Sequence, residues 1–156
     1  MTEAYLTIIS LTERLHRRFL EVVKLELDRA DIRDINNVQA LLLFNLGDAE
    51  MTVGELTLRG CYLGSNVSYN LKKVVENDYV EQARSPHDRR SIHVRLTPKG
   101  SALRDRLAEM HRRHAESLQC VIPAPDLEHA AATLSRLERF WVRVGDKACP
   151  FSRQVA

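Results

Sequence analysis

Apolar residues recur along this chain with two periods, and the change of period separates its elements. From Thr2 to about Arg29 they return every three or four residues, which predicts one long amphipathic helix. The same spacing predicts a second helix from about Ile35 to Leu46, ending at Gly47. Between Ile92 and Leu96 apolar and polar residues alternate, which predicts a half-buried strand.

The middle of the chain has the features of two short helices followed by a hairpin. Thr52 and Glu55 have the spacing of a capping box, which predicts a helix that ends near Gly60. Ser65 is suited to be the N-cap of the next helix. A strand from Tyr79 to Arg84 is then expected to pair with the alternating strand across a polar turn.

Two more helices are expected in the C-terminal part. Thr97-Pro98 predicts a helix start, with threonine as the N-cap and proline at the first helical position, where its missing amide hydrogen sacrifices no hydrogen bond. This helix is expected to run to about Gln119. Pro123-Ala124-Pro125 then breaks the pattern, and a last helix is expected from Asp126 to about Val144. The chain from Gly145 onward is expected to be irregular.

The fold class that follows is mainly α with a small β-hairpin wing, a winged helix-turn-helix. We expect residues 34–97 to form the winged lobe. The helices in 1–33 and 98–145 have larger apolar faces than this lobe can bury, so we expect them to pair with a second copy in a homodimer. Residues 146–156 would form a C-terminal tail.

Length, cysteine usage and hydropathy limit the class of protein. The 156 residues suit one domain, or one compact subdomain with an assembly element. No apolar run is long enough to span a bilayer. The N-terminus lacks the pattern of a signal peptide. Cys61, Cys120 and Cys149 are scattered and odd in number, which fits a reducing compartment. We therefore expect a cytoplasmic protein.

Charge is unevenly distributed. The chain has a net charge of +2, but residues 66–99 carry seven Lys or Arg against four acids, a local net charge of +3. This excess coincides with the helix after residue 65 and with the hairpin, where a surface that binds phosphates would need it. A basic face that is merely solvated would have the same composition.

In the helix from Ser65, one face is apolar and is expected to be buried, with Val67, Leu71, Val74 and Val75, while the opposite polar face is suited to the major groove of DNA. The hairpin has arginines suited to the backbone and minor groove. Arg84 and Arg95 are expected to meet phosphates, and Asp88 to orient an arginine. The alternatives are an ordinary solvated helix, in which Ser65 only caps and Ser68 and Asn70 pack beside the buried face, and arginines that form surface ion pairs or simply face the solvent. The candidate DNA contacts are Ser65, Asn66, Ser68, Tyr69, Asn70, Lys72, Lys73, Arg84, Arg89, Arg90 and Arg95.

Two segments make the chain resemble the MarR family of transcriptional regulators. They are Asp88-Arg89-Arg90-Ser91, at the hairpin turn, and Leu96-Thr97-Pro98-Lys99-Gly100, at the following helix start. The resemblance implies a homodimer held by its terminal helices, a pseudo-palindromic operator in double-stranded DNA, repression as the usual effect, and a small-molecule effector bound near the lobe junction. The segment Asn66-Val67-Ser68-Tyr69-Asn70-Leu71-Lys72-Lys73 resembles the branch that regulates cell-wall transpeptidase genes.

Other candidate chemistry is weaker. Phe19, Phe44 and Tyr62 could line an effector pocket or simply pack in the core. Cys61 could act as a redox switch or be a small buried residue.

His111 and His114 have a spacing that could share a metal, but no third ligand accompanies them, so we predict no metal site and no cofactor. The sequence has neither a nucleophile elbow nor a glycine-rich phosphate loop, so we do not expect an enzyme. The alternative to a DNA-binding regulator is a winged-helix adaptor that binds protein rather than DNA.

Overall fold

The computed structural model describes residues 2–59, 64–84 and 92–148, with side chains described at 2–59, 66–84 and 92–144. Its elements follow the predicted order, with one short strand added. They are α1 (Thr2–Arg29), α2 (Asn37–Leu46), β1 (Met51–Thr52), α3 (Val53–Arg59), α4 (Gly64–Glu76), β2 (Val80–Arg84), β3 (Ile92–Leu96), α5 (Pro98–Leu118) and α6 (Ala124–Ala148).

The three strands form one antiparallel sheet in the order β1-β3-β2. Val80 pairs with Leu96 and Arg84 with Ile92, so β2 and β3 form the predicted hairpin. On the other side of β3, Met51 pairs with Val94. The two-residue strand β1 was not predicted, because its length is too short to show any period.

Helix starts follow from side-chain caps. The predicted capping box is confirmed: the Glu55 amide donates to Thr52 Oγ1 at 3.1 Å, and the Thr52 amide donates to Glu55 Oε2 at 2.7 Å. At the start of α5 the Gly100 amide donates to Thr97 Oγ1 at 3.1 Å, which confirms Thr97 as the cap. A second capping box, Asn36 with Gln39, begins α2 and was missed.

Three predicted boundaries were wrong. Ser65 is not the N-cap of α4, since the helix already includes Gly64 and Ser65. The last helix begins at Ala124 rather than Asp126, with Pro125 in its first turn, where a missing amide is tolerated. It also continues through Gly145 to Ala148, so an irregular chain from residue 145 was wrong. One glycine costs a helix only about 1 kcal/mol, which its neighbours outweigh.

The chain consists of two compact units, Met1–His111 and Arg112–Ala156, within each of which the residues contact one another. The first unit has a continuous apolar core, in which the most buried large side chains come from every helix from α1 to α5 and from strands β2 and β3. They are Val23, Leu42, Leu43, Leu46, Leu56, Val67, Val74, Val80, Val94, Leu107 and Met110.

The second unit contains the end of α5 and the whole of α6. Along α6, Leu127, Leu134 and Trp141 are spaced by seven residues, and each keeps 38–44% of its surface exposed. The fold class is that of a mainly α protein with a small antiparallel wing, as predicted.

Candidate nucleic-acid interface

The helix α4 has one apolar face that is buried and one polar face that is open. Val67, Leu71 and Val74 are at most 3% exposed, so they fix the rotation of the helix against the core. Tyr69 is 62% exposed and the Lys72 side chain 74% exposed on the other side. Asn66 and Ser68 are also exposed. The rotation predicted from the sequence is therefore confirmed.

Asn70 lies on the flank of α4 and is half-buried. Its Nδ2 donates to the Asn66 carbonyl at 2.9 Å, and its Oδ1 accepts from Gln39 Nε2 at 3.3 Å. Asn70 therefore ties α4 to α2, which is the packing role that the sequence left open for it. Its contact with DNA stays a prediction.

Two lysines of α4 share one carboxylate. Lys73 Nζ lies 2.8 Å from Glu76 Oε2, and Lys72 Nζ lies 3.8 Å from Glu76 Oε1. The hydrogen bond from Lys73 lowers the pKa of Glu76 below its usual value, and the same bond raises the pKa of Lys73. The two lysines and the carboxylate together contribute a formal charge of +1. Glu76 thus holds both cations on the open side of the helix.

The arginines of the hairpin strands are exposed at their predicted places. Arg84 ends β2, opposite Ile92, and so stands at the turn end of the hairpin. Arg95 Nε donates to Glu81 Oε1 at 2.7 Å across the two strands. Arg95 is therefore paired with an acid in the structure, and a phosphate would have to compete with Glu81 for it.

Several predicted site residues lie outside the described part of the chain. Asp88, Arg89 and Arg90 lie between β2 and β3 in the sequence, and Cys61 and Tyr62 lie between α3 and α4. The side chain of Ser65 is likewise outside it. Their roles stay predictions from the sequence.

The wing is also joined to the start of α3, a feature that the sequence did not predict. His93 on β3 places Nδ1 3.1 Å from Glu50 Oε1. His93 also pairs across the sheet with Thr52, whose amide and hydroxyl both donate to Glu55. Those two hydrogen bonds from Thr52 lower the pKa of Glu55. The wing and the first helix of the helix-turn-helix therefore share one polar contact region.

Phe19 and Phe44 come together in the first unit, as an effector pocket would require. Their ring centroids lie 5.4 and 4.8 Å from that of His111. Both phenylalanines are partly buried and pack against the core, so the alternative of core packing describes them equally well. Their pocket role stays a prediction.

Neither a metal nor a membrane is indicated by the described residues. Within 2–59, 64–84 and 92–148, no group of three His, Cys, Asp or Glu side chains could hold a metal ion. No helix in the same ranges combines the length and hydropathy needed to cross a bilayer.

Comparison with known proteins gives the geometry a context. A family model described as a winged helix DNA-binding domain matches residues 35–100. The chain is 38% identical over 138 residues to the exopolysaccharide II synthesis transcriptional activator ExpG of Rhizobium meliloti strain 1021. That similarity covers 88% of this chain and 71% of the relative.

Solved structures share the fold at low sequence identity. Streptococcus pneumoniae FabT in complex with DNA superposes with a TM-score of 0.73 at 20% identity, covering 90% of this chain and 99% of that one. Staphylococcus aureus MarR in complex with salicylate and kanamycin also gives a TM-score of 0.73, at 17% identity, with 90% and 93% covered. At such identities the likeness concerns the fold alone.

Proposed function

The chain belongs to the MarR family of winged-helix DNA-binding transcriptional regulators, and from that premise we propose that it binds a pseudo-palindromic DNA operator as a homodimer. One observation carries the proposal. On α4 the polar face that includes Asn66, Tyr69 and Lys72 is open, while the opposite face is locked into the core beside the hairpin. That geometry suits a helix inserted into a major groove with a wing at the flanking backbone.

The individual roles follow from chemistry. Polar residues of α4 would meet base edges and phosphates, with Asn suited to adenine and Lys to guanine or phosphate. Arg84 and Arg95 would meet phosphates, and Arg89 and Arg90 would enter the minor groove. Asp88 would orient an arginine. The proposed helix contacts are Ser65, Asn66, Ser68, Tyr69, Asn70, Lys72 and Lys73.

Exposed apolar surface supports the dimer. On α6, Leu127, Leu134 and Trp141 form an exposed apolar stripe with a spacing of seven residues. On α1, Leu6 and Leu15 are 59% and 62% exposed. We propose that the helices within residues 1–33 and 98–145 form the dimer interface, that residues 34–97 form the DNA-binding lobe, and that 146–156 form a tail. A twofold arrangement would place two α4 helices in successive major grooves, roughly 34 Å apart.

The sign of regulation has two candidates. Repression is the usual effect in this family and results when an operator overlaps a promoter. Activation is favoured by the Rhizobium relative, which is described as an activator. A reporter placed behind a bound promoter, with and without the protein, separates the two.

A small molecule is proposed as the effector. Its support is the aromatic group of Phe19, Phe44 and His111, and the similar fold of the Staphylococcus MarR in complex with salicylate. A ligand would change DNA binding only if it preferred one separation between the winged lobes of the two subunits. A screen of aromatic acids for a rise in the melting temperature of the protein would find such a ligand. The same measurement after treatment with an oxidant would test the redox role proposed for Cys61.

The protein is proposed to act by binding DNA and not as an enzyme. Its proposed location is the cytoplasm, where it would meet chromosomal DNA. The branch that regulates transpeptidase genes stays a prediction from the α4 sequence. The rival function is an adaptor that uses the winged lobe to bind another protein.

Salt dependence separates the two functions. A duplex is first recovered from a random library by the full-length protein, and its affinity is measured at several salt concentrations. A regulator should give a log–log slope near −0.9 per phosphate contact. Replacing Arg89 and Arg90 together by Ala should flatten the slope, whereas Arg18→Ala, which removes an exposed cation paired with Glu21 on α1, should not. An adaptor would recover no duplex.

A further inference from the structure

A group of polar side chains meets where the chain leaves α4. Asp34 lies between α1 and α2, Tyr79 lies directly before β2, and Lys99 lies in the first turn of α5. The Tyr79 hydroxyl donates to Asp34 Oδ1 at 2.8 Å, and Lys99 Nζ donates to Asp34 Oδ2 at 2.8 Å. Both carboxylate oxygens of Asp34 are therefore used, one by each partner.

Asn77 completes this group, which we call the junction cluster: Asp34, Asn77, Tyr79 and Lys99. Asn77 is the first residue after α4. Its Nδ2 donates to the Asp34 carbonyl at 2.6 Å, and its own carbonyl accepts from Lys99 Nζ at 2.9 Å. The cluster therefore joins three separate segments of the chain through directed hydrogen bonds.

The charges in the junction cluster favour its integrity. Lys99 Nζ lies 4.0 Å from the centroid of the Tyr79 ring, and Tyr79 is 2% exposed. Burial and then the hydrogen bond to the Asp34 carboxylate raise the pKa of Tyr79 well above its usual value. Burial alone would raise the pKa of Asp34, but the hydrogen bonds from Lys99 and Tyr79 lower it. At neutral pH the hydroxyl is therefore protonated and the carboxylate ionised, as the bonds require.

The backbone at the same place is held from the other side. Asp78 has a φ of +61°, which ends α4 in the left-handed region. Thr97 donates its hydroxyl to the Asp78 carbonyl at 2.7 Å and its amide to the Tyr79 carbonyl at 3.1 Å. Residues 77–79 are thus fixed between the start of α5 and the connector that contains Asp34.

This short segment links α4 directly to β2, so its geometry sets how the helix and the wing stand relative to each other. Hydrogen bonds and an ion pair that engage both carboxylate oxygens of Asp34 resist a change of this angle, because they lose energy when their geometry changes.

We propose that Asp34, Tyr79 and Lys99 are positioning residues for DNA reading, which fix the angle between the recognition helix α4 and the β2–β3 wing. The proposal rests on the proposed function, since it needs α4 and the wing to contact one duplex. Loosening the junction cluster should then weaken binding to the operator more than binding to unrelated DNA, because only the operator requires both elements in register.

The test compares Tyr79→Phe, Asp34→Asn and Lys99→Gln with the wild-type full-length protein. Affinity is measured well below each melting temperature, for the duplex that the wild type recovers from a random library and for a scrambled duplex of equal length. Asp31→Asn is the matched control: it removes the same charge from the same connector, where Asp31 pairs with the exposed Arg33 at 2.9 Å. Asn also tolerates the φ of +53° at this position.

We expect each cluster variant to bind the recovered duplex about tenfold more weakly, the size expected for a lost bond to a charged group. Binding to the scrambled duplex should change by less than about twofold, because phosphate contacts remain. If Asp34→Asn fails to fold, Tyr79→Phe decides, since it removes a single oxygen atom.

The possible results separate the two proposals. An unchanged ratio of the two affinities, or an equal fall in Asp31→Asn, would overturn the positioning role while leaving the DNA-binding function intact. A purely structural role would lower the melting temperature without moving that ratio. A wild type that recovers no duplex would overturn the proposed function, and the positioning role with it.

Discussion

Gly100 lies so close to Tyr79 that a Cβ atom on residue 100 would stand 2.0 Å from the Tyr79 carbonyl oxygen and 3.1 Å from its carbonyl carbon. Both are backbone atoms, which cannot swing aside as the end of a side chain can. The first turn of α5 therefore needs a residue without a side chain at this point. This explains physically why the segment Leu96-Thr97-Pro98-Lys99-Gly100 ends in glycine.

We expect Gly100→Ala to lower the free energy of unfolding by about 3 kcal/mol, the upper part of the usual range for overpacking. The reason is that α5 must move away from the exit of α4 to admit the new methyl group. Urea denaturation of the full-length protein measures the change.

Gly54→Ala is the matched control for that substitution. The nearest atom to a Cβ at Gly54 is Thr52 Oγ1 at 3.8 Å, an ordinary contact. Since Gly54 lies in α3, alanine should stabilise the protein by roughly 0.5 kcal/mol. A loss at Gly54 equal to that at Gly100 would contradict the steric explanation.

Two substitutions on opposite faces of α4 should separate binding from stability. Tyr69 is 62% exposed, so Tyr69→Ala should change the free energy of unfolding by less than about 0.5 kcal/mol, yet weaken binding to the recovered duplex about tenfold. Leu71 is 3% exposed, so Leu71→Ala should cost about 3 kcal/mol of stability. Denaturation and titration with duplex DNA measure both. If Tyr69→Ala binds the recovered duplex as tightly as the wild type, Tyr69 does not contact DNA.

Where a residue pattern has a strong period, the sequence was enough to predict the structure. The rotation of α4 is an example, because Val67, Leu71 and Val74 can all be buried only at one rotation. The caps at Thr52 and Thr97 are others, because each depends on a contact with a residue three positions away.

Features that depend on distant residues could not be predicted. The junction cluster joins Asp34 to Lys99 across 65 positions, and nothing in the local pattern of either residue indicates the other. The pairing of Arg95 with Glu81 was missed for the same reason, although both lie on the predicted hairpin. The Asn36 capping box was local and detectable, since Gln39 has the required spacing.

Glu81 should compete with DNA for Arg95. If Arg95 contacts a phosphate, Glu81→Gln should tighten binding to the recovered duplex about threefold and steepen the salt slope by up to about 0.9. Arg95→Gln should do the reverse. Glu21→Gln, which removes a carboxylate from the exposed pair with Arg18 on α1, should alter neither quantity. Salt titrations that find no change in the two strand variants would identify Arg95 as a solvent-facing residue.

The contribution of Asp34 to stability should disappear in acid. Burial would raise the pKa of Asp34, but the bonds from Lys99 and Tyr79 outweigh burial and hold the folded pKa below 3.8. A carboxyl group with a lowered folded pKa stabilises the protein above its unfolded pKa, and this stabilisation is lost as the pH falls through the folded value. The free energy of unfolding of the wild type should therefore exceed that of Asp34→Asn by about 1 kcal/mol at pH 7. This figure is reduced because Asp34 and Lys99 are partly exposed. The difference should shrink below about pH 4.

Urea denaturation at pH 7, 5 and 3 measures this difference. The same comparison is then made in a Lys99→Gln background, which lacks the first of the bonds that lower the pKa of Asp34. There, the loss of stability caused by Asp34→Asn should be smaller at pH 7. It should also fade at a higher pH than in the wild-type background, because the pKa of Asp34 moves back toward 3.8. If the difference in the free energy of unfolding between the wild type and Asp34→Asn instead stays constant from pH 7 to pH 3, that result would contradict the stabilisation of the ionised Asp34 carboxylate by Lys99 and Tyr79.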